Sequence, residues 1–255
     1  MYRLARWLAV LGVNAVPAGG LALGGWSAAT VLAVYWLESL LASLLVALRA
    51  VLHRRLTRKR GHDRRWTVST DGAGRHGIGI EGLPPLGQAL VGGVGFAAAH
   101  GIFLAVFVVG VLGVVPERRA LLAGCAGVAA FQLAGFAADL PYLRSRPFAW
   151  IRRESEALLG RVVLLHLAII AGAALVLWRR GPDAFFLPFV LLKAAADLGG
   201  LLTTGREYRP PSEDPPRWLT AILGRSGRDG AFATAWRKRQ AEEALRAQAD
   251  EADGP

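Results

Sequence analysis

Long apolar blocks alternate with short polar connections along most of the chain. Each block has about 20 residues, which is the length that a transmembrane helix needs. The pattern therefore predicts an all-α, polytopic membrane protein with about six transmembrane helices. The predicted spans are approximately residues 4–23, 27–52, 89–115, 120–138, 158–178 and 184–204.

A polar tail follows the last apolar block, so the sequence divides into two regions. Residues 1–204 form the predicted six-helix transmembrane domain, and residues 205–255 form a predicted cytoplasmic tail. The tail opens with a proline-rich linker, "YRPPSEDPPRW", in which the prolines disfavour a helix. It continues with the charged run "ATAWRKRQAEEALRAQADEA", which predicts a solvated surface helix.

The first apolar block has two interpretations. The stretch "MYRLARWLAVLGVNAVPAGG" combines a basic start, an apolar core and small residues, which is also the pattern of a signal peptide. The alternatives are a retained first helix and a cleaved one. Lysine and arginine counts do not separate them, since the second helix would start outside in either case.

The net charge of +11 is explained by basic loops rather than by nucleic-acid binding. Of the 30 lysine and arginine residues, 23 fall on one side of the predicted membrane and four on the other. The basic side is expected to be cytoplasmic, which places both termini in the cytoplasm. The prediction is a multi-pass protein of the cell inner membrane that has the lipid bilayer as its partner and binds no nucleic acid. The single cysteine, Cys125, excludes an internal disulfide.

Two arginines lie close to the cytoplasmic ends of predicted helices. Arg49 and Arg161 are each within about 5 Å of such an end, at 1.5 Å per residue. Long basic side chains at this depth extend their charged groups to the interface. Snorkelling is the preferred interpretation for both, with a buried role as the alternative.

Five other polar side chains lie deeper, in the middle or inner half of the membrane: Glu38, His100, His166, Lys193 and Asp197. A charge at the centre of a membrane helix costs about 2.5–3.5 kcal/mol on insertion scales. These groups are therefore expected to face inward and to meet partners. Each has a structural alternative, in which a histidine or a carboxyl group is only a hydrogen-bonded core residue.

One partnership is predicted by spacing alone. Lys193 and Asp197 are four residues apart and share a helix face, so they can pair. Glu38 is expected to face inward, together with its neighbours Tyr35 and Trp36. Its side chain should then approach at least one of four cations or histidines: His100, Arg161, His166 or Lys193.

Four segments resemble a family of uncharacterised integral membrane proteins of bacteria and archaea, known as a domain of unknown function. They are "YWLES" at Tyr35, "FAAAHGIF" at Phe96, "GRVVLLHLAIIAG" at Gly160 and "LLKAAADL" at Leu191. The resemblance covers most of the membrane region and ends at about Gly205. It implies a retained first helix, no established activity, and a related set of residues: Glu38, His100, Arg161, His166, Lys193 and Asp197.

The sequence departs from the pattern of this family at two places. A His-Tyr-Gly motif expected before "HGIF" is replaced by Gly92, Gly93 and Val94. A further histidine expected after the lysine and aspartate is replaced by glycine or leucine. These departures weaken the case for a metal site of several histidines, and no cofactor or metal is predicted.

Three function classes remain. The favoured one is a small transporter or proton-coupled permease with a polar site in the membrane interior, since such groups form proton relays. The alternatives are a structural or assembly protein whose polar core specifies helix packing, and an intramembrane enzyme with His100 or His166 as general base beside Glu38. Nucleotide-binding, metalloprotease and hydrolase motifs are absent from the sequence. A non-enzymatic function is therefore favoured. Six helices are compatible with a homo-oligomer, and the small-molecule or ion substrate is not identified.

Overall fold

A computed structural model describes residues 2–63, 85–106, 115–155, 157, 193–195, 197–199, 214–215 and 229–254. The described part is helical and contains no strand, apart from one isolated bridge between Lys59 and Asp253. The predicted fifth span and most of the sixth lie outside the described residues. Arg161 and His166 lie outside them as well.

Three described helices are long and apolar enough to cross a membrane. They are α1 (Tyr2–Ala22), α2 (Ala28–Thr57) and α5 (Arg118–Asp139), which correspond to the predicted first, second and fourth spans. With 30 residues, α2 is about 45 Å long, which exceeds a hydrocarbon core of about 30 Å. Its last turn contains Arg54 and Arg55, and we expect that turn to lie beyond the lipid.

The start of the third predicted span is also helical. It comprises α3 (Pro85–Gln88), a π-helical turn at Ala89–Gly95, and α4 (Phe96–Ala105). Its apolar part from Leu90 to Ala105 is shorter than a full span. Residues 107–114 lie outside the described part of the chain.

A polar contact joins α2 and α5 where both helices begin. The Ser27 hydroxyl accepts a hydrogen bond of 3.2 Å from the Thr30 amide, as an N-cap residue does. The buried Thr30 hydroxyl accepts a further bond of 3.1 Å from the Glu117 amide, just before α5. Gly25, at φ +63°, makes the turn that leads from α1 into α2. The contact fixes the starts of α2 and α5 at the same end of the molecule.

The core between the long helices consists of small and branched residues. Val13 of α1, Val34 of α2 and Val128 of α5 form one buried apolar cluster. A Cβ added at Gly12 would lie 2.3 Å from the Phe131 ring, so any other residue there would require the Phe131 side chain to shift. This small-residue packing is typical of helices that associate within lipid.

The end of the chain is bound to the loop that follows α2. The C-terminal helix (Asp229–Glu251) precedes a short extended contact, in which the Arg60 amide donates to Ala252 O at 2.9 Å. The Gly254 amide donates to Arg58 O at 2.8 Å, and Lys59 pairs with Asp253 at 2.9 Å. The loop after α2 and the C-terminus therefore lie at the same end of the molecule.

Candidate functional site

The Lys193 ammonium lies at the centre of a buried polar group. Its Nζ atom lies 2.8 Å from Glu38 Oε2, 2.7 Å from Asp197 Oδ2 and 3.2 Å from Asn14 Oδ1. The Asn14 amide also donates to Asp197 Oδ2 at 3.0 Å. Asn14 belongs to α1 and Glu38 to α2, whereas Lys193 and Asp197 lie one turn apart on a third helical segment. We call these four residues the Lys193 group.

The charged side chains of the Lys193 group are buried, so their pairing affects the stability of the protein. Glu38 and Asp197 are each 4% exposed and Asn14 is 8% exposed. An ammonium has three N–H donors, and three carboxylate or amide oxygen partners surround this one. Among the described residues, Glu38 and Asp197 thus share the one ammonium of Lys193. Charged groups of this kind are costly to bury in a medium that excludes water unless they are paired.

Tyr35 and Trp36, next to Glu38 in sequence, have different surroundings. The Lys193 Nζ atom lies 4.7 Å from the centroid of the buried Tyr35 ring, within the range of a cation–π interaction. Trp36 points towards α4, where its indole N–H donates to Ala97 O at 2.6 Å. A Cβ added at Gly101 would lie 2.5 Å from the Trp36 ring. Tyr35 therefore packs against the Lys193 group, and Trp36 anchors α4 to α2.

His100 is buried on α4, on the helix that Trp36 contacts. Its ring stacks with Phe96 at 6.0 Å and with Phe103 at 6.2 Å between centroids. The predicted relationship of His100 to the Lys193 group stays a prediction. Arg161 and His166, the other two members of the predicted set, lie outside the described residues.

A second buried group is centred on Asp139, at the end of α5. The Asp139 side chain, 2% exposed, pairs with Arg49 at 2.8 Å and with Arg6 at 3.8 Å. It accepts a hydrogen bond of 2.8 Å from the Tyr2 hydroxyl, and Arg6 also pairs with Glu154 at 2.8 Å. We call Tyr2, Arg6, Arg49, Asp139 and Glu154 the Asp139 group. Two arginines and two carboxylates make its formal charges balance.

The Asp139 group gives Arg49 a charged partner on another helix. The Arg49 guanidinium pairs with Asp139, the last residue of α5, and lies 5.2 Å from the centroid of the Phe136 ring. A carboxylate partner on α5 stabilises this orientation because it provides charge and hydrogen bonds together. Snorkelling of Arg49 to the interface stays a prediction.

A cavity of about 100 Å³ lies between α1, α2 and α5 and reaches both groups. Asn14, Glu38 and Asp197 line one part of it, and Arg6, Arg49 and Glu154 line another. Gln132 of α5 also lines it and donates from Nε2 to the backbone oxygen of Glu38 at 3.0 Å. The two polar groups thus share one cavity.

Sequence reasoning identified three of the four members of the Lys193 group and few members of the Asp139 group. Asn14 was visible as a polar residue within the first apolar block, but nothing assigned it a partner. Asp139 and Glu154 fall at or just beyond the ends of predicted spans, where a charged residue is normally solvated. Their burial depends on contacts between helices that are distant in sequence.

Two histidines lie outside these groups, at the end of α2. His53 and His62 are buried, and His53 Nδ1 lies 2.8 Å from His62 Nε2. His53 Nε2 donates to the Arg146 carbonyl at 2.9 Å, so a neutral His53 accepts the His62 N–H at Nδ1. Burial, reinforced by His53 and the Arg54 charge, lowers the pKa of His62 to about 4. Within the described ranges, no three His, Cys, Asp or Glu side chains converge as a metal site would require.

The fold and the site define a class of helical protein with buried polar side chains in ion pairs, in which three of the described helices are able to span a membrane. The chain belongs to a family of unknown function, DUF6498, whose family model matches residues 1–214. No curated protein and no solved structure matches the chain.

Proposed function

We propose that the protein is a six-helix, multi-pass protein of the cell inner membrane that couples proton movement to transport of a small molecule or ion. In this proposal the Lys193 group binds and releases the proton within the membrane. Both termini lie in the cytoplasm, and residues 205–255 form a cytoplasmic tail. The proposed site residues are Glu38, His100, Arg161, His166, Lys193 and Asp197, with Tyr35 and Trp36 supporting them.

The observation that carries the proposal is the sharing of one ammonium by two buried carboxylates. Lys193 lies between Glu38 and Asp197, both of them almost fully buried. Glu38 can take up or release a proton while Asp197 keeps its pair with Lys193. A buried acid that shares a cation with a second acid is suited to proton coupling.

The arrangement of the described ends supports the proposed orientation. Tyr2 contacts Asp139 at the end of α5, and the C-terminal residues contact the loop after α2. These segments carry the predicted cytoplasmic arginines and lie at one end of the described helices. The family match ends at residue 214, close to the proposed boundary of the tail.

A structural function is the second candidate, and one observation favours it. Each N–H donor of the Lys193 ammonium has an oxygen partner, so the ammonium is saturated by Glu38, Asp197 and Asn14. A saturated ion pair between three helices can specify packing without any exchange of protons. The two candidates differ in whether Glu38 must change its protonation state.

Proton flux into liposomes separates the two candidates. Purified protein is reconstituted with a pH-sensitive dye inside the vesicles, and a potassium gradient with valinomycin drives protons inward. We expect acidification above that of empty liposomes, and its loss in Glu38→Gln, which keeps the side-chain shape but holds no exchangeable acid. The exposed carboxylate variant Glu117→Gln is the matched control and should behave as wild type.

The structural candidate predicts a different result. Wild-type protein would then be no more permeable to protons than empty liposomes, or a folded Glu38→Gln protein would conduct as wild type does. Thermal unfolding of both variants in detergent establishes that they are folded before flux is compared.

A further inference from the structure

We infer that the cavity between α1, α2 and α5 is a hydrated path along which protons pass between Glu154 and Glu38. We infer also that Arg6 closes the end of this cavity next to Glu154. The inference rests on the proposed function in one respect, that Glu38 exchanges a proton. The hydration of the cavity and the closing position of Arg6 are independent of it.

The first observation is the position of the cavity. Asn14 and Arg6 both line it and are eight residues apart on α1, which corresponds to about 12 Å along the helix. Glu38 and Arg49 line it from α2, eleven residues or about 16 Å apart. The cavity therefore runs along the helices and connects the Lys193 group to the Asp139 group.

The second observation is that the cavity has the size and the polar ends that ordered water needs. Its volume of about 100 Å³ corresponds to about three waters at roughly 30 Å³ each. A row of three waters with a polar side chain at each end contains four hydrogen bonds. At about 2.8 Å per hydrogen bond, this row covers about 11 Å. That length is close to the separation of the two groups along α1.

The third observation is an unsatisfied acceptor on the wall of the cavity. The Oε1 atom of Gln132 is buried and accepts no hydrogen bond from the described part of the chain. Its Nε2 atom is held by the backbone oxygen of Glu38. Buried amide oxygens are nearly always paired with protein or water. A water in the adjoining cavity would supply the missing donor beside Glu38.

The fourth observation is the position of Arg6. Its guanidinium is held by Glu154 at 2.8 Å and by Asp139 at 3.8 Å, and it lies 6.0 Å from the centroid of the Trp150 ring. The side chains of Arg6 and Glu154 are 15% and 12% exposed, compared with 6% for the Glu38 side chain. Arg6 and Glu154 are thus more exposed than Glu38, and they lie together at the end of the cavity away from the Lys193 group.

The proton step requires no further reactant. A protonated Glu154 gives its proton to the nearest water, each water passes one proton to the next, and the last O–H proton bonds to a Glu38 carboxylate oxygen. Glu154 ends as a carboxylate that pairs with Arg6, and Glu38 ends as a neutral acid. The Lys193 ammonium keeps its pair with Asp197.

Silver ions test the hydration of the path, since they react with thiolates that water reaches and a thiolate does not form in lipid. In a Cys125→Ala background, Ala42→Cys places a thiol on the cavity wall. Leu44→Cys is the matched control, because Leu44 is only two residues away on α2, is 45% exposed and does not line the cavity. Leu45→Cys, also on the wall, provides a second position if Ala42→Cys does not fold.

Membranes are treated with silver, the protein is then denatured, and the remaining free thiols are labelled with maleimide. The loss of maleimide labelling measures how much of each thiol silver has modified. We expect silver to modify the thiol of Ala42→Cys at least about tenfold faster than the thiol of Leu44→Cys, because a thiolate forms in water and not in an apolar environment. Adding Arg6→Gln should increase the rate of silver modification of Ala42→Cys several-fold. Equal rates at Ala42 and Leu44 would overturn the hydrated path. A rate unaffected by Arg6→Gln would overturn the closing role of Arg6.

The silver experiment and the proton-flux experiment test separate claims, so either claim can be overturned without the other. A dry cavity in a protein whose proton flux still depends on Glu38 overturns the path and leaves the proposed function in place. If the cavity is hydrated but the proton flux is the same in Glu38→Gln as in wild type, the proposed function is overturned and the inference of a hydrated cavity stands.

Discussion

Lys193 and Glu38 are 155 residues apart in sequence, and their Nζ and Oε2 atoms are 2.8 Å apart in the folded protein. This contact joins α2 to the helical segment that carries Lys193 and Asp197. It also converts the local Lys193–Asp197 pair into a group with one cation and two carboxylates. Stability and chemistry at this site therefore depend on all three charges together.

Removal of the cation should destabilise the protein strongly. Lys193→Met removes the cation that Glu38 and Asp197 share, and breaking a buried pair in this way costs about 3–5 kcal/mol. We expect a large decrease in the thermal unfolding temperature of the purified protein in detergent. Combining Lys193→Met with Glu38→Gln and Asp197→Asn removes all three charges and should restore most of the loss. Unchanged stability of Lys193→Met would mean that water solvates the two carboxylates.

Replacing Asp139 should destabilise the protein more than replacing an exposed acid does. Asp139→Asn leaves the half-buried Arg49 without its charged partner and removes one of the two charged partners of Arg6, and we expect a cost of about 3 kcal/mol. Asp63→Asn is the control, because the Arg54–Asp63 pair is more than half exposed and such pairs contribute about 0–1 kcal/mol. Chemical unfolding of the two variants in detergent gives the comparison. Equal effects would contradict the buried environment of Asp139.

His62 should make the protein less stable in acid. Burial lowers its pKa to about 4, below the ordinary value of 6.5, so the unfolded chain binds this proton more readily than the folded protein. The stabilisation is complete above pH 6.5 and is lost as pH falls from about 6.5 to about 4. At 1.36 kcal/mol per pKa unit the loss is roughly 3 kcal/mol. The unfolding temperature followed across this range should have a shallower slope in His62→Gln, and an identical slope would contradict the prediction.

The basic asymmetry of the chain predicts its orientation. Reporter fusions after Arg60 and after Asp250 should be cytoplasmic, and a fusion after Arg180 should be external. The contact between the loop after α2 and the C-terminal residues agrees with the first two positions. An external signal at Arg60 would overturn the proposed orientation.

The sequence alone determined the features that depend on local composition. Runs of about 20 apolar residues predicted the first, second and fourth spans, which appear as α1, α2 and α5. The spacing of Lys193 and Asp197 predicted their pairing because a helix brings residues four apart onto one face. The fifth span, and with it Arg161 and His166, stays a prediction.

Only the tertiary structure decided which distant helices supply the partners of each charge. Nothing near Asn14 in the sequence indicates that it contacts Lys193, and nothing near Arg49 indicates that Asp139 holds it. An arginine near a helix end can extend its charged group to water, which is why the sequence predicts snorkelling for Arg49. Asp139 on a neighbouring helix provides Arg49 with charge and hydrogen bonds at once. The identity of the partner is set by helix packing, a property that no local stretch of sequence contains.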